Sequence, residues 1–137
     1  MDFIEKNPDF TTYRPNACCI VVNDDARILY CERADIADAW QLPQGGIDSH
    51  EEPQAAAARE LYEETSITNA TLLETYPHWL VYPFPNGKKS QQGHIGQAQK
   101  FFLFKYHGDS DAIDIDAAPD KEFTTYLWAT PEYILQD

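Results

Sequence analysis

The 137-residue chain has the length of one compact domain, and its 43% hydrophobic and 13% aromatic content is enough to close a core, which excludes a disordered chain. Its 23 acidic and 10 basic side chains give a formal charge of -13, which excludes a protein that grips DNA or RNA by coating phosphates with Lys and Arg. Cys18, Cys19 and Cys31 form no CxxC pair and leave an odd count, so they read as small buried hydrophobes and not as a disulfide framework or a zinc site.

In chain order, residues 1–10 carry Asp2, Glu5 and Asp9 and lack the apolar run of a secretory signal. No stretch approaches a membrane span, so a cytoplasmic protein is expected. Residues 16–22 and 26–32 read as two strands joined by a tight Asn23-Asp24-Asp25 turn. Residues 42–47 hold Pro43, Gly45 and Gly46 and read as a loop. Pro53 suits the first position of a helix, and the Ala-rich residues 54–65 continue it. At about 100° per residue, Gln54, Ala57, Ala58 and Leu61 form the expected packing face. Glu60, Glu63 and Glu64 gather on an adjacent, solvent-facing arc.

Beyond the helix, residues 70–76 and 78–82 read as strands, 83–93 as a loop and 97–106 as a long strand rich in aromatics. Residues 108–120 form an acidic loop whose spacing does not match an EF-hand, so it reads as a solvated segment. Residues 122–129 read as a last strand, and Thr130-Pro131-Glu132 as a helix start. Tyr133, Ile134 and Leu135 look like the first turn of a packing face, from which a truncated C-terminal helix is expected. His50, His78, His94 and His107 share no ligand spacing and read as surface or packing residues.

Alone, Glu60, Glu63 and Glu64 would be a solvated helix face. Their context is more specific. The chain runs Gly45, five residues, Glu51, seven residues, Arg59-Glu60-Leu61, one residue, Glu63-Glu64, one residue, Ser66-Ile67. This resembles the Nudix box, with Ser66 standing where that pattern has a glycine at the positive-φ end of the helix. Hard cations take several oxygen ligands, and glutamates at i, i+3 and i+4 converge on one patch; bound cations also relieve the mutual repulsion of the carboxylates. The resemblance implies an α/β fold, an α/β/α sandwich with a mixed sheet between helices, occupying residues 1–137 as a single domain. It implies Mg2+ as cofactor, with Mn2+ as a substitute. Glu60 and Glu64 become the core metal ligands, Glu63 a ligand or an orienter of the attacking water, and the backbone near Gln44 and Gly45 a further ligand. Glu51 and Arg59 become a structural ion pair holding the Gly45-Gly46 loop to the helix.

Further blocks at residues 13–16, 40–47, 79–82, 96–100 and 122–123 resemble the Nudix branch of bacterial RNA pyrophosphohydrolases and plant-type asymmetric dinucleoside tetraphosphate hydrolases. That resemblance makes Glu122 a further metal ligand or a base, and Arg14 and Tyr82 substrate contacts. Gln44, Gln97 and Lys100 are added as candidates for phosphate or base contacts. Arg binds phosphate in a fork and aromatics stack on splayed bases, so the residue types suit the roles. The expected activity is hydrolysis of a pyrophosphate bond, at the 5' triphosphate of RNA first and in dinucleoside polyphosphates second. A nucleotide-pool sanitising enzyme and an inactive nucleotide-binding module are the remaining alternatives. The expected partner is a nucleotide or an RNA 5' end as substrate, with no DNA and no membrane.

Overall fold

A computed structural model describes residues 4–136. Its spine is a parallel pair, β2 (Tyr13–Val22) beside β8 (Gly96–Tyr106), in register from Tyr13 opposite Gly96 to Val22 opposite Lys105. Everything between these strands is the crossover that a parallel pair requires. On the free edge of β2, β5 (Gln44–Gly46) pairs antiparallel with residues 16–18, and β3 (Ile28–Arg33) joins at Val22. Beyond β3 lie β4 (Trp40–Gln41) and β9 (Phe123–Ala129). The far edge of β8 carries β6 (Ala70–Thr75) and β7 (Trp79–Pro83), and β7 pairs in turn with β1 (Ile4–Glu5).

Side chains alternate across the pleat, so β2 divides its residues between two faces. Ala17, Cys19 and Val21 pack with Leu29, Cys31, Phe102 and Phe104 against Ala56, Ala57 and Leu61 of α1 (Pro53–Thr65). Tyr30 points to the other face, where its ring meets Tyr133 of α2 (Pro131–Gln136) edge-on at 6.4 Å. The sheet is thus mixed and flanked by a helix on each side, as expected. No helix of the described residues is long and apolar enough to cross a membrane.

Two expectations are corrected. Residues 42–47 are not simply a loop: Gln44–Gly46 is a short strand, and the Cys19 amide donates to the Pro43 carbonyl at 2.8 Å. Proline and glycine hid a segment whose backbone is paired by its neighbours. The packing face of α1 is also rotated from the one expected, with Ala56, Ala57, Leu61, Glu64 and Thr65 buried while Gln54 and Ala58 are exposed. The cause is Gly45: a Cβ there would collide with the Glu60 carboxylate, so only glycine lets the carboxylate side of the helix roll in against β5.

The helix ends as the sequence requires even without glycine. Ser66 takes φ 66° and ψ 9°, its amide donates to the Tyr62 carbonyl, and its hydroxyl donates to the Asp114 carbonyl at 2.8 Å. That hydroxyl bond offsets part of the cost of a left-handed non-glycine residue.

Candidate active site

Arg59 is the hub of the site. Its Nε donates to Glu51 Oε2 at 2.8 Å, Nη2 to Glu51 Oε1 at 2.9 Å and to the Gly46 carbonyl at 3.0 Å, and Nη1 to both Glu60 Oε1 and Glu63 Oε1 at 2.8 Å. All five guanidinium N–H groups are therefore used, which no lysine could reproduce. The Glu51–Arg59 pair ties the glycine loop to the helix, and Arg59 also supplies the counter-charge for two of the three helix carboxylates. This contact holds the Glu51 carboxyl below its usual range and raises the guanidinium above its own.

Glu64 differs from its expected solvent-facing placement. It is only 4% exposed, and its Oε1 accepts the Gln44 amide at 3.0 Å. Burial raises its carboxyl to about 9, against the lowering by that amide, and the charges of Glu60, Glu122 and Asp120 add to the rise. Glu60, packed against Gly45, is raised first by burial, while Arg59 pulls it down. Glu63 lies at the rim, where its backbone carbonyl accepts the Asp120 amide at 2.9 Å. Glu122 is exposed just before β9, its carbonyl held by the Ala34 amide at 2.8 Å.

No three His, Cys, Asp or Glu side chains among the described residues stand grouped as a metal would hold them. The chemistry of the donors nevertheless fits a hard divalent cation. Glu64 is a buried carboxyl on which the charges of Glu60, Glu122 and Asp120 all act to oppose ionisation, and Glu60 lies against a backbone that has no side chain to block it.

Beside these carboxylates opens a cleft of about 690 Å3, lined by Arg14, Glu60, Gly46, Phe84, His94 and Gln97 among others. The exposed Arg14 guanidinium lies over Gly46, again where a Cβ would stand, and among the described residues it forms no ion pair or hydrogen bond. Tyr82 reaches Gln97 through its hydroxyl, which donates to Oε1 at 2.8 Å. Gln44 is held from the far side, its Oε1 accepting from Gln99 Nε2 at 2.8 Å, and the same nitrogen donates to Asn16 Oδ1 at 3.0 Å. Asn16 and Gln99 escaped the sequence reading because an amide in a strand carries no spacing signal.

Lys100 is the candidate that this cleft does not take up. Its Nζ donates to the Pro77 carbonyl at 3.1 Å and lies 5.3 Å from the Trp79 ring centroid. Neighbours on β8 point to opposite faces, so Gln97 and Gln99 face one way and Lys100 the other. His94, read as a packing residue, does pack, against the Phe10 carbonyl and Ser90, but it also lines the cleft. Asp120, which no motif marked, bears on both Glu60 and Glu64. The three cysteines are buried free thiols, Cys18 pushed up to about 12 by burial first and then by Glu64.

The NUDIX domain matches residues 12–137. Nudix hydrolase 25 of Arabidopsis thaliana is 38% identical over 133 residues, covering 90% of this chain and 76% of that protein. An RNA pyrophosphohydrolase of Gluconobacter oxydans is also 38% identical, over 94% of this chain and 78% of that one. An Ap4A hydrolase of C. elegans, solved as a binary complex, shares the fold with a TM-score of 0.63 at 20% identity, over 88% of this chain and 83% of that one. Nudix hydrolases generally use a divalent metal. With its glycine loop held to α1 by Glu51 and Arg59, and a NUDIX match across nearly its whole length, this chain belongs to the Nudix hydrolase family.

Proposed function

We propose that this chain hydrolyses the 5' triphosphate end of RNA, with Mg2+ as its metal and Mn2+ as a substitute. The observation that carries this reading is the shared cleft: Glu60 and an unspent Arg14 both line it, a metal-type donor and a phosphate-type donor in one opening. Four relatives at 35–41% identity, all named RNA pyrophosphohydrolase, support the choice of substrate.

Glu60, Glu64, Glu63 and Glu122, with the backbone near Gln44 and Gly45, would hold the metal, which when bound neutralises phosphate charge and acidifies water. The chain's own residues do the rest. Arg14 offers its fork to the triphosphate, and Tyr82 with Gln97 offers a ring and an amide to the base. A water oxygen bonds to phosphorus as a bridging P–O bond breaks. Glu63 orients that water, its proton passes to the carboxylate of Glu122, and the displaced phosphate group leaves with the bridging oxygen. Arg59 and Glu51 take no part in the bond changes; they fix the loop on which the reacting groups must line up.

Product analysis on triphosphorylated RNA, diadenosine tetraphosphate and nucleoside triphosphates, with Mg2+ and with chelator, tests the proposal. Metal-dependent conversion of RNA to its 5' monophosphate, faster than turnover of the others, is expected. A clear preference for diadenosine tetraphosphate or free nucleotides would overturn the substrate, and turnover unaffected by chelator would overturn the metal.

A further inference from the structure

In a chain of charge -13, the cations left unspent mark where a polyanion can be held. Arg59 is committed to carboxylates, Arg33 to Asp35 and Lys105 to Asp24. Lys100 and Lys121 are committed to the carbonyls of Pro77 and Asp116. Arg27 sits in the turn after β2 and Lys6 beyond β1, away from the cleft lining. Arg14, Lys88 and Lys89 remain. Among the described residues, the exposed side chains of Lys88 and Lys89 form no ion pair or hydrogen bond.

These two lysines, adjacent in sequence, lie on the segment after β7 that also gives Phe84, Ser90, Gln92 and His94 to the wall of the cleft. The segment is anchored on its cleft side. Ser90 donates its amide to the His94 carbonyl at 2.9 Å, and the His94 ring meets the Phe10 carbonyl at 3.1 Å. Asn86 and Gly87 both take positive φ and let the chain turn before the lysines. The lysines thus directly precede the cleft-lining Ser90, and their side chains take no part in holding the fold. At physiological salt, charges beyond about 8 Å are screened, so these neighbours weigh more on a strand leaving the cleft than the distant acidic surface does.

We infer that Lys88 and Lys89 form a second binding site, one that takes the phosphodiester backbone of an RNA downstream of the triphosphate held at Arg14 and the carboxylates. This rests on the reading of the substrate as RNA. Arg14 serves the end of the chain and the lysines serve its length, so the site adds affinity for long RNA over short RNA without reading sequence.

The test compares kcat/KM on a triphosphorylated dinucleotide and on a several-fold longer triphosphorylated RNA, over a salt series at fixed Mg2+, for the wild type, K88Q/K89Q and K88R/K89R. The expected wild type favours the longer RNA at low salt. K88Q/K89Q loses that advantage at an unchanged melting temperature, and its log–log salt slope on the longer RNA is shallower by ~1.4, or ~0.7 per lost phosphate contact. K88R/K89R keeps the advantage. A wild type indifferent to length, or a K88Q/K89Q enzyme that keeps both the advantage and the slope, overturns the inference. If neither RNA is hydrolysed while diadenosine tetraphosphate is, the substrate reading falls and the inference with it. That outcome is distinct from active enzyme with no length effect.

Discussion

Two parts of this molecule concentrate carboxylates, and only one is a candidate site. On α1, Glu60 and Glu64 face the body of the protein, Glu63 sits at the rim, and Arg59 bridges Glu60 to Glu63. In the segment between β8 and β9, Asp109, Asp111, Asp114 and Asp116 are all exposed. They serve local turns: Asp109 Oδ1 accepts the Asp111 amide at 2.9 Å, and Asp114 Oδ1 accepts the Ala117 amide at 3.2 Å. The two regions meet where the Asp120 amide bonds to the Glu63 carbonyl. Charge density therefore does not make a site. What distinguishes α1 is desolvation on a rigid element, which leaves its carboxylates in want of a cation, whereas water satisfies the loop.

The largest effect expected from breaking this contrast is at Glu64. Glu64→Gln keeps the shape and still offers an oxygen to the Gln44 amide, so turnover should fall at least about a hundredfold without loss of fold. Metal-free stability should show the opposite sign. The folded protein retains the Glu64 proton up to about 9, whereas the unfolded chain releases it near the ordinary 4.5. Over that window the native state binds more protons, so this group's contribution to stability falls as pH rises. In thermal melts with chelator, Glu64→Gln should melt above the wild type at pH 8 and approach it near pH 5. Normal turnover by the variant, or melting curves that coincide at pH 8, would show that the carboxylate is not under the constraint described.

Gly45→Ala tests the packing that turned the carboxylate arc inward. The added methyl meets the Glu60 carboxylate, which must move, and a displacement of about 1 Å can cost up to about a hundredfold in rate. We expect a loss of about tenfold or more in kcat, with stability lowered by about 1–3 kcal/mol from overpacking. Unaltered kinetics and melting would mean that Glu60 does not need this place.

Arg14→Ala should lower kcat/KM on triphosphorylated RNA about tenfold, the worth of one charge-assisted hydrogen bond, and change stability by under about 0.5 kcal/mol because the side chain is exposed. A collapse in melting temperature with normal kinetics would make Arg14 structural. The smallest effect belongs to the acidic loop. Asp111→Asn with Asp116→Asn removes two exposed charges and should leave stability within about 0.5 kcal/mol and turnover near that of the wild type. A large loss of turnover would merge the two acidic regions into one functional unit.

Spacing within one element was readable from the sequence because it depends only on the chain's own geometry. Helical pitch placed Glu60, Glu63 and Glu64 on one arc, Pro53 marked the start of α1, and apolar and aromatic runs marked β2 and β8. Arg59 and Glu51, joined in sequence only by a pattern, stand within one ion pair. Distances between elements were not readable, because they depend on what each element packs against. The burial of Glu64 follows from α1 rolling toward a residue with no side chain, and the role of Gln99 follows from β2, which carries β8 and β5 on its two edges and lets Gln99 reach Gln44 across it at 2.8 Å. Lys100 and Gln97 stand three residues apart in one strand, yet the pleat sends them to opposite faces, where one packs on Trp79 and the other lines the cleft. The residue types at the site were written in the sequence, but which of them lose water, and so acquire their chemistry, was decided by the tertiary fold.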